Sequence, residues 1–324
     1  MSPRKVKTKP TAPTRVSPKL TSALPRNNLR TPPPTVSGRW LLTAATLSIL
    51  AAGFCAWGAL CLLFWQGSWQ LLYHPASAIT STPASAGLPF DPVAFATTET
   101  GEQRLKGWWI PAAPGDRYAR FTVLYLHGQD GNLSDSVDAL TTLHQVGLNV
   151  FAFDYRGYGQ SQFQRPSEAR LLEDADWAIQ YLTGTRHVTA SAIVLDGRDL
   201  GANLALEVAA AHPDLAGVVL ESPLDSPMDA IFNDRRTRLV PAHLLVQDRF
   251  DMNQAAAGLK IPSLWFESRK PPGVANLHEK PAAFRKAGST KTLVWLVSIS
   301  DSPKENADAL AHWLDDLPAK AGNS

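Results

Sequence analysis

The sequence predicts an α/β protein, with a mostly parallel sheet between layers of helices. Two observations lead there. Short β-branched and aromatic runs recur from residue 121 onward, and amphipathic stretches of helical period separate them. With 324 residues and 44% apolar content, the chain is long enough to bury one large core.

The elements follow in chain order. Residues 1–39 carry nine basic side chains and no acid. Their Pro, Thr, Ser and Lys content predicts a disordered basic tail. Of 31 basic residues, 22 then remain against 29 acidic ones, so the chain beyond the tail is net negative. That balance does not suit nucleic acid, and no nucleic-acid partner is expected.

Residues 40–65, WLLTAATLSILAAGFCAWGALCLLFW, contain no charge. As a helix they would reach about 39 Å, enough to cross a bilayer, and tryptophans stand at both ends. A cleaved signal peptide fits less well, because the apolar run is too long and no A-x-A-like site follows. The positive-inside rule puts the tail in the cytoplasm and everything after about residue 66 outside it, most simply in a bacterial periplasm. Cys55 and Cys61, the chain's two cysteines, lie in this segment, so no disulfide or thiol chemistry is expected beyond it. Nor does any His, Asp or Cys cluster have ligand spacing, and neither metal nor cofactor is expected.

Beyond the apolar segment the domain is expected to run over 66–318. Residues 92–111 alternate about a Thr-Gly-Glu turn, which predicts a hairpin. Strands are expected at 121–128, 149–155, 192–197, 217–222, 263–268 and 292–298, with helices over Ser167 to Leu182 and Leu200 to His212. Residues 223–260 hold no convincing strand and predict a small helical insertion at the sheet's carboxyl edge.

Four motifs fall at successive strand ends: LHGQDGN (126–132), DYRGYGQS (154–161), GRDLGAN (197–203) and ESPLDSP (221–227). Together with WQLLYHP (69–75) and LKGWWIPA (105–112), they resemble the α/β-hydrolase superfamily, and within it membrane-anchored serine hydrolases related to serine aminopeptidases and monoacylglycerol lipases. The resemblance spans about Trp69 to Leu314. It implies the α/β-hydrolase fold, with a nucleophile elbow at 197–201 and an oxyanion hole built from the backbone of Leu200 and of Gln129 in the His127-Gly128-Gln129 loop.

The same resemblance exposes a departure. The elbow's central residue is Asp199 rather than serine. By register, the acid position in ESRKPPGVAN (267–276) is Pro271 and the histidine position in VSISDSPKEN (297–306) is Asp301. Proline has no acceptor side chain, and aspartate cannot act as an imidazole. His127 is expected to be structural or part of the oxyanion loop. His144 and His212 fall in helical patterns, His187 in a connection, His74 beside the membrane and His312 on the last helix. His243 and His278 sit where a lid or loop would approach the elbow.

Asp199 itself has two readings. Dehalogenases and epoxide hydrolases of this fold use aspartate as nucleophile, but a histidine must free the ester. Alternatively, the Asp199 carboxylate caps the following helix as an anion and fills the hole. Glu221 and Asp225 could serve as alternative acids, but read more simply as loop charges or helix caps. The favoured expectation is a catalytically degenerate, membrane-anchored binding or regulatory protein whose ligand is a small molecule, a lipid or a protein. The alternative is a hydrolase of small esters, amides or lipid-like substrates working through Asp199 or an unidentified base.

Overall fold

The structure is a computed structural model, and it describes residues 36–97, 101–268, 280–296 and 303–317. Two compact units divide the chain, Met1–Phe54 and Cys55–Ser324. The described part of the first is almost entirely helix.

Helix α1 (Gly38–Gly67) is long and apolar enough to span a membrane. Its side chains are exposed almost throughout Gly38 to Ala59, about 33 Å of helix, close to the thickness of a bilayer's hydrocarbon core. From Leu60 onward the character changes. Leu60, Cys61 and Phe64 pack into the core of the folded domain, and Leu72 and Tyr73 follow them.

The sheet has eight strands: β1 (Asp91–Thr97), β2 (Gln103–Ile110), β3 (Thr122–Leu126), β4 (Asn149–Asp154), β5 (Ile193–Arg198), β6 (Gly217–Glu221), β7 (Ser263–Ser268) and β8 (Lys291–Leu296). Their spatial order is β8-β7-β6-β5-β3-β4-β2-β1. The β1–β2 hairpin is antiparallel, with Phe95 opposite Leu105, and β2 joins β4 antiparallel; every other pairing is parallel. Central strands buried on both faces need apolar residues at successive positions, and β3, TVLYL, is buried throughout.

Helices α2 (Val137–Val146) and α9 (Pro303–Asp316) cover one face, where Leu140, Leu143, Leu310 and Trp313 join the core with Tyr125 and Phe266. Helices α3 (Glu168–Gln180) and α4 (Leu200–Ala211) cover the other, with Leu171, Leu204 and Val208. Helix α3 continues into a wider turn at Tyr181–Thr185.

Within 223–260 lie α5 (Asp229–Phe232), a turn of 3-10 helix at Arg235–Arg238, α6 (Ala242–Leu245) and α7 (Met252–Gly258). Helix α7 packs on α4 and on α8 (Ala282–Lys286), so it belongs to the helical layer rather than to a lid. The segment before it is tied down at several points. Asn203 bonds both backbone groups of Leu224, the Tyr73 hydroxyl donates to Asp248 at 2.7 Å, and the Glu168 carboxyl accepts the Arg249 and Phe250 amides.

Candidate functional site

One residue makes the turn from β5 into α4. Asp199 has φ 51° and ψ −120°, a left-handed conformation that costs a non-glycine residue about 1–3 kcal/mol. Its amide donates to the Glu221 carbonyl at 2.9 Å, which ties the turn to β6. The flanking glycines have a direct explanation. A Cβ on Gly197 would lie 2.1 Å from the Gly201 carbonyl, and one on Gly201 would lie 2.1 Å from that of Leu126. The GRDLG spacing is thus demanded by close contact of α4 with β5 and with the end of β3.

The oxyanion loop differs from expectation. The Asp199 side chain makes no capping bond to α4; instead the Leu200 amide donates to Gln129 Oε1 at 3.3 Å. The carboxylate therefore does not plug the hole, because the Gln129 side chain already holds the Leu200 donor. Nor is Asp199 stabilised as an anion. Burial raises its pKa, the Arg198 guanidinium opposes that rise, and the Asp130 charge adds to it.

His127 is buried and neutral. Burial pushes its pKa down to about 4, and its ring lies 4.3 Å and 5.0 Å, centroid to centroid, from Tyr155 and Tyr158. Nδ1 lies 2.8 Å from the Gly128 carbonyl; since a carbonyl only accepts, Nδ1 carries the proton. Nε2 is 3.8 Å from Asp154 Oδ1, too far for a hydrogen bond. Burial in turn raises Asp154 to about 7, although its carboxyl accepts the Leu133 and Gln160 amides. His127 thus holds its Nδ1 proton on the Gly128 carbonyl and makes no hydrogen bond to Asp199 among the described residues.

Beside the elbow lies a cavity of about 670 Å³. His127, Gly128 and Asp199 line it, with Asp130, Tyr125, Arg198, Asp196 and Glu221, and α2 and α9 form its far side. Asp196, within β5, and Glu221, at the end of β6, lie on neighbouring strands. Asp196 is fully buried and Glu221 largely so; burial raises Asp196 well above the usual carboxylate range, with Glu221 adding, and raises Glu221 to about 7 despite Arg198, whose Nε is 3.9 Å from Oε2. Asp196 Oδ1 has no hydrogen-bond partner among the described residues. The cavity thus offers a ligand several carboxyl groups, of which burial raises the pKa of Asp196, Asp199 and Glu221, and the Arg198 guanidinium. A second cavity, about 490 Å³, is lined by Gln129, Asp130, His74, Leu72 and Asp225.

Of the residues expected from sequence, the structure brings together Asp199, His127 and Gly128 at the first cavity, and Gln129 and Leu200 through one hydrogen bond. Glu221, read as a loop charge or cap, is instead a largely buried strand end. His243 stacks on Phe232 at 4.1 Å, and no histidine is in hydrogen-bond or ion-pair contact with Asp199 among the described residues. Pro271, Asp301 and His278 lie outside the described residues. No group of three or more potential metal ligands occurs among those described.

Sequence reasoning missed Asp196 and Arg198, although an acid ending the otherwise apolar run AIVLDG was a signal. It also missed a dyad: His74 Nδ1 lies 2.7 Å from Asp130 Oδ1, where the short strand His74–Pro75 pairs in parallel with Asp130–Gly131. No local pattern in LLYHP announces that contact.

Comparison with known proteins agrees with this architecture. The chain is 34% identical over 188 residues to an uncharacterized protein of Mycobacterium tuberculosis, covering 58% of this chain and 63% of that one. It is 31% identical over 207 residues to the uncharacterized protein YfhR of Salmonella typhi, covering 59% and 67%. An uncharacterized membrane protein of Saccharomyces cerevisiae is 34% identical over 143 residues, covering 44% and 48%. Among solved structures, a Pyrococcus furiosus esterase has a TM-score of 0.57 at 19% identity, covering 76% of this chain and 98% of its own. An α/β hydrolase from Vibrio vulnificus has 0.53 at 22%, covering 70% and 82%. Residues 118–312 match the family described as serine aminopeptidase, S33. With that match across more than half its length and an eight-stranded sheet bent into a strained elbow at Asp199, the chain belongs to this serine aminopeptidase family of the α/β-hydrolase superfamily.

Proposed function

We propose that the protein is a membrane-anchored, non-catalytic member of its family that binds a small ligand in the cavity beside Asp199 and acts through binding or regulation. The observation that carries this is the state of the elbow. Its central residue is an aspartate without an imidazole in contact among the described residues, and the Leu200 amide that would meet an oxyanion is held by Gln129. A nucleophile needs a base to activate it or to free its ester, and an oxyanion hole works only with its donors aimed at the substrate. The sequence register, with Pro271 and Asp301 at the acid and base positions, supports the same reading. A fluorophosphonate probe should leave the full-length protein unlabelled, and labelling would overturn the proposal.

One observation favours a second reading. The His74–Asp130 pair stands on the oxyanion loop, and Asp130 lines the same cavity as Asp199. If Asp199 were a nucleophile, this dyad would be a candidate source of its base, joined to the cavity through Asp130. Hydrolysis of p-nitrophenyl esters that is lost in both Asp199→Asn and His74→Gln would establish that reading. Absence of hydrolysis in the unmodified protein would remove it.

A further inference from the structure

The segment between β6 and α7 exposes two large apolar side chains, Leu239 (61% exposed) and Leu244 (83%). Exposed leucines alone are ordinary on a protein surface; what matters here is where this segment lies. Three further facts bear on that. The Trp57 indole nitrogen donates to the Leu239 carbonyl at 3.0 Å, so this segment touches α1 itself. Trp57 lies one turn before the point where one face of α1, at Leu60, Cys61 and Phe64, begins to pack on the domain, and tryptophan sits by preference where a spanning helix meets the interface. Arg235 and Arg238 are exposed within the same turn, while Arg236 is held by Asp234 at 2.7 Å.

We propose that residues 229–246 form an interfacial membrane element, in which Leu239 and Leu244 enter the headgroup-to-acyl boundary of an anionic bilayer and Arg235 and Arg238 meet its phosphates. This rests on the reading that α1 crosses that bilayer. The occupant follows from continuity. A surface bonded to Trp57, one turn before α1 begins to pack on the domain, meets the bilayer that the helix crosses, and apolar side chains beside cations match an anionic lipid surface.

The test uses the full-length protein, with Cys55→Ala and Cys61→Ala, in vesicles of phosphatidylcholine and phosphatidylglycerol. An environment-sensitive NBD label is placed singly at Leu244→Cys, at Asp308→Cys on α9 and at Leu47→Cys in α1. Lipids carrying a shallow nitroxide should quench the Leu244 label several-fold more than the Asp308 label, and Arg235→Glu with Arg238→Glu should reduce that difference. Quenching at Leu47 with Leu244 no more quenched than Asp308 would overturn the interfacial element and leave the spanning helix standing. An unquenched but blue-shifted Leu244 label would assign the patch to a protein contact, such as a second copy, and also overturn it. No quenching at Leu47 would overturn the membrane reading and the proposal with it.

Discussion

At the scale of single residues, Asp199 governs what the site can do. Its backbone keeps the strained turn of a nucleophile elbow, while its side chain makes no bond that the fold requires. The carboxyl pKa is raised in the folded chain, so on acidification the folded form takes up its proton before the unfolded form does. The ionised group therefore lowers stability at neutral pH, and this penalty disappears below the unfolded value of about 4. Asp199→Asn should accordingly unfold at a higher urea concentration than the unmodified protein at pH 7, with the gap closing in acid. A variant less stable at pH 7 would restore the cap role expected from sequence. Polar groups at this site are constrained by partners far off in sequence, as the Gln129 side chain on the Leu200 amide shows.

Among elements, the segment after β4 links the loop at 127–129, whose His127 and Gln129 carbonyls accept the Tyr155 and Tyr158 hydroxyls, to α3. Arg156, in the DYRGYG motif, is 3% exposed; its amide donates to Asp174 at 2.8 Å and its guanidinium pairs with Asp174 and Glu173. Burial raises Asp174 to about 6 even against that pairing. Removing one partner leaves a buried charge uncompensated, so Arg156→Met should cost about 3–5 kcal/mol by urea denaturation. The double change Arg156→Met with Asp174→Leu should cost less than the sum of the two single changes. Additive losses would show that the pair is uncoupled and that the motif acts through backbone geometry alone. The motif was legible as a strand-end turn, but its ion pair was not, because Asp174 reads in sequence as one more charge on an amphipathic helix.

For the whole molecule, the question is which side of a membrane the domain occupies. Helix α1 has the length and apolarity to cross, and nine basic residues precede its Trp40 with no acid among them. We read this as a cytoplasmic tail and an external domain. Alkaline phosphatase, active only outside the cytoplasm, should then work when fused after Ser324 and fail when fused before Trp40. The opposite pattern would reverse the orientation. Only part of α1 is free all round, since from Leu60 onward one face of it, Leu60, Cys61 and Phe64, packs on the core of the folded domain while Leu62, Leu63 and Trp65 stay exposed. Hydropathy cannot mark that division, because apolar residues suit lipid and protein interior alike.

What the sequence determined by itself is what local pattern controls. The apolar helix, the period of the buried strands, the hairpin and the Gly-x-Asp-x-Gly spacing of the elbow were all legible from neighbours within one element or turn. The resemblance to the family added the expectation that Asp199 stands at the nucleophile position. Tertiary structure alone decided the partners: Gln129 with Leu200 across 71 residues, His74 with Asp130 across 56, and Trp57 with Leu239 across 182. It also decided that Asp196 and Glu221, on neighbouring strands, are fully and largely buried rather than hydrated on loops. The physical reason is one and the same. Desolvation and hydrogen-bond satisfaction depend on which atoms the folded chain brings within a few ångströms, and residue type and spacing specify only which groups will need a partner.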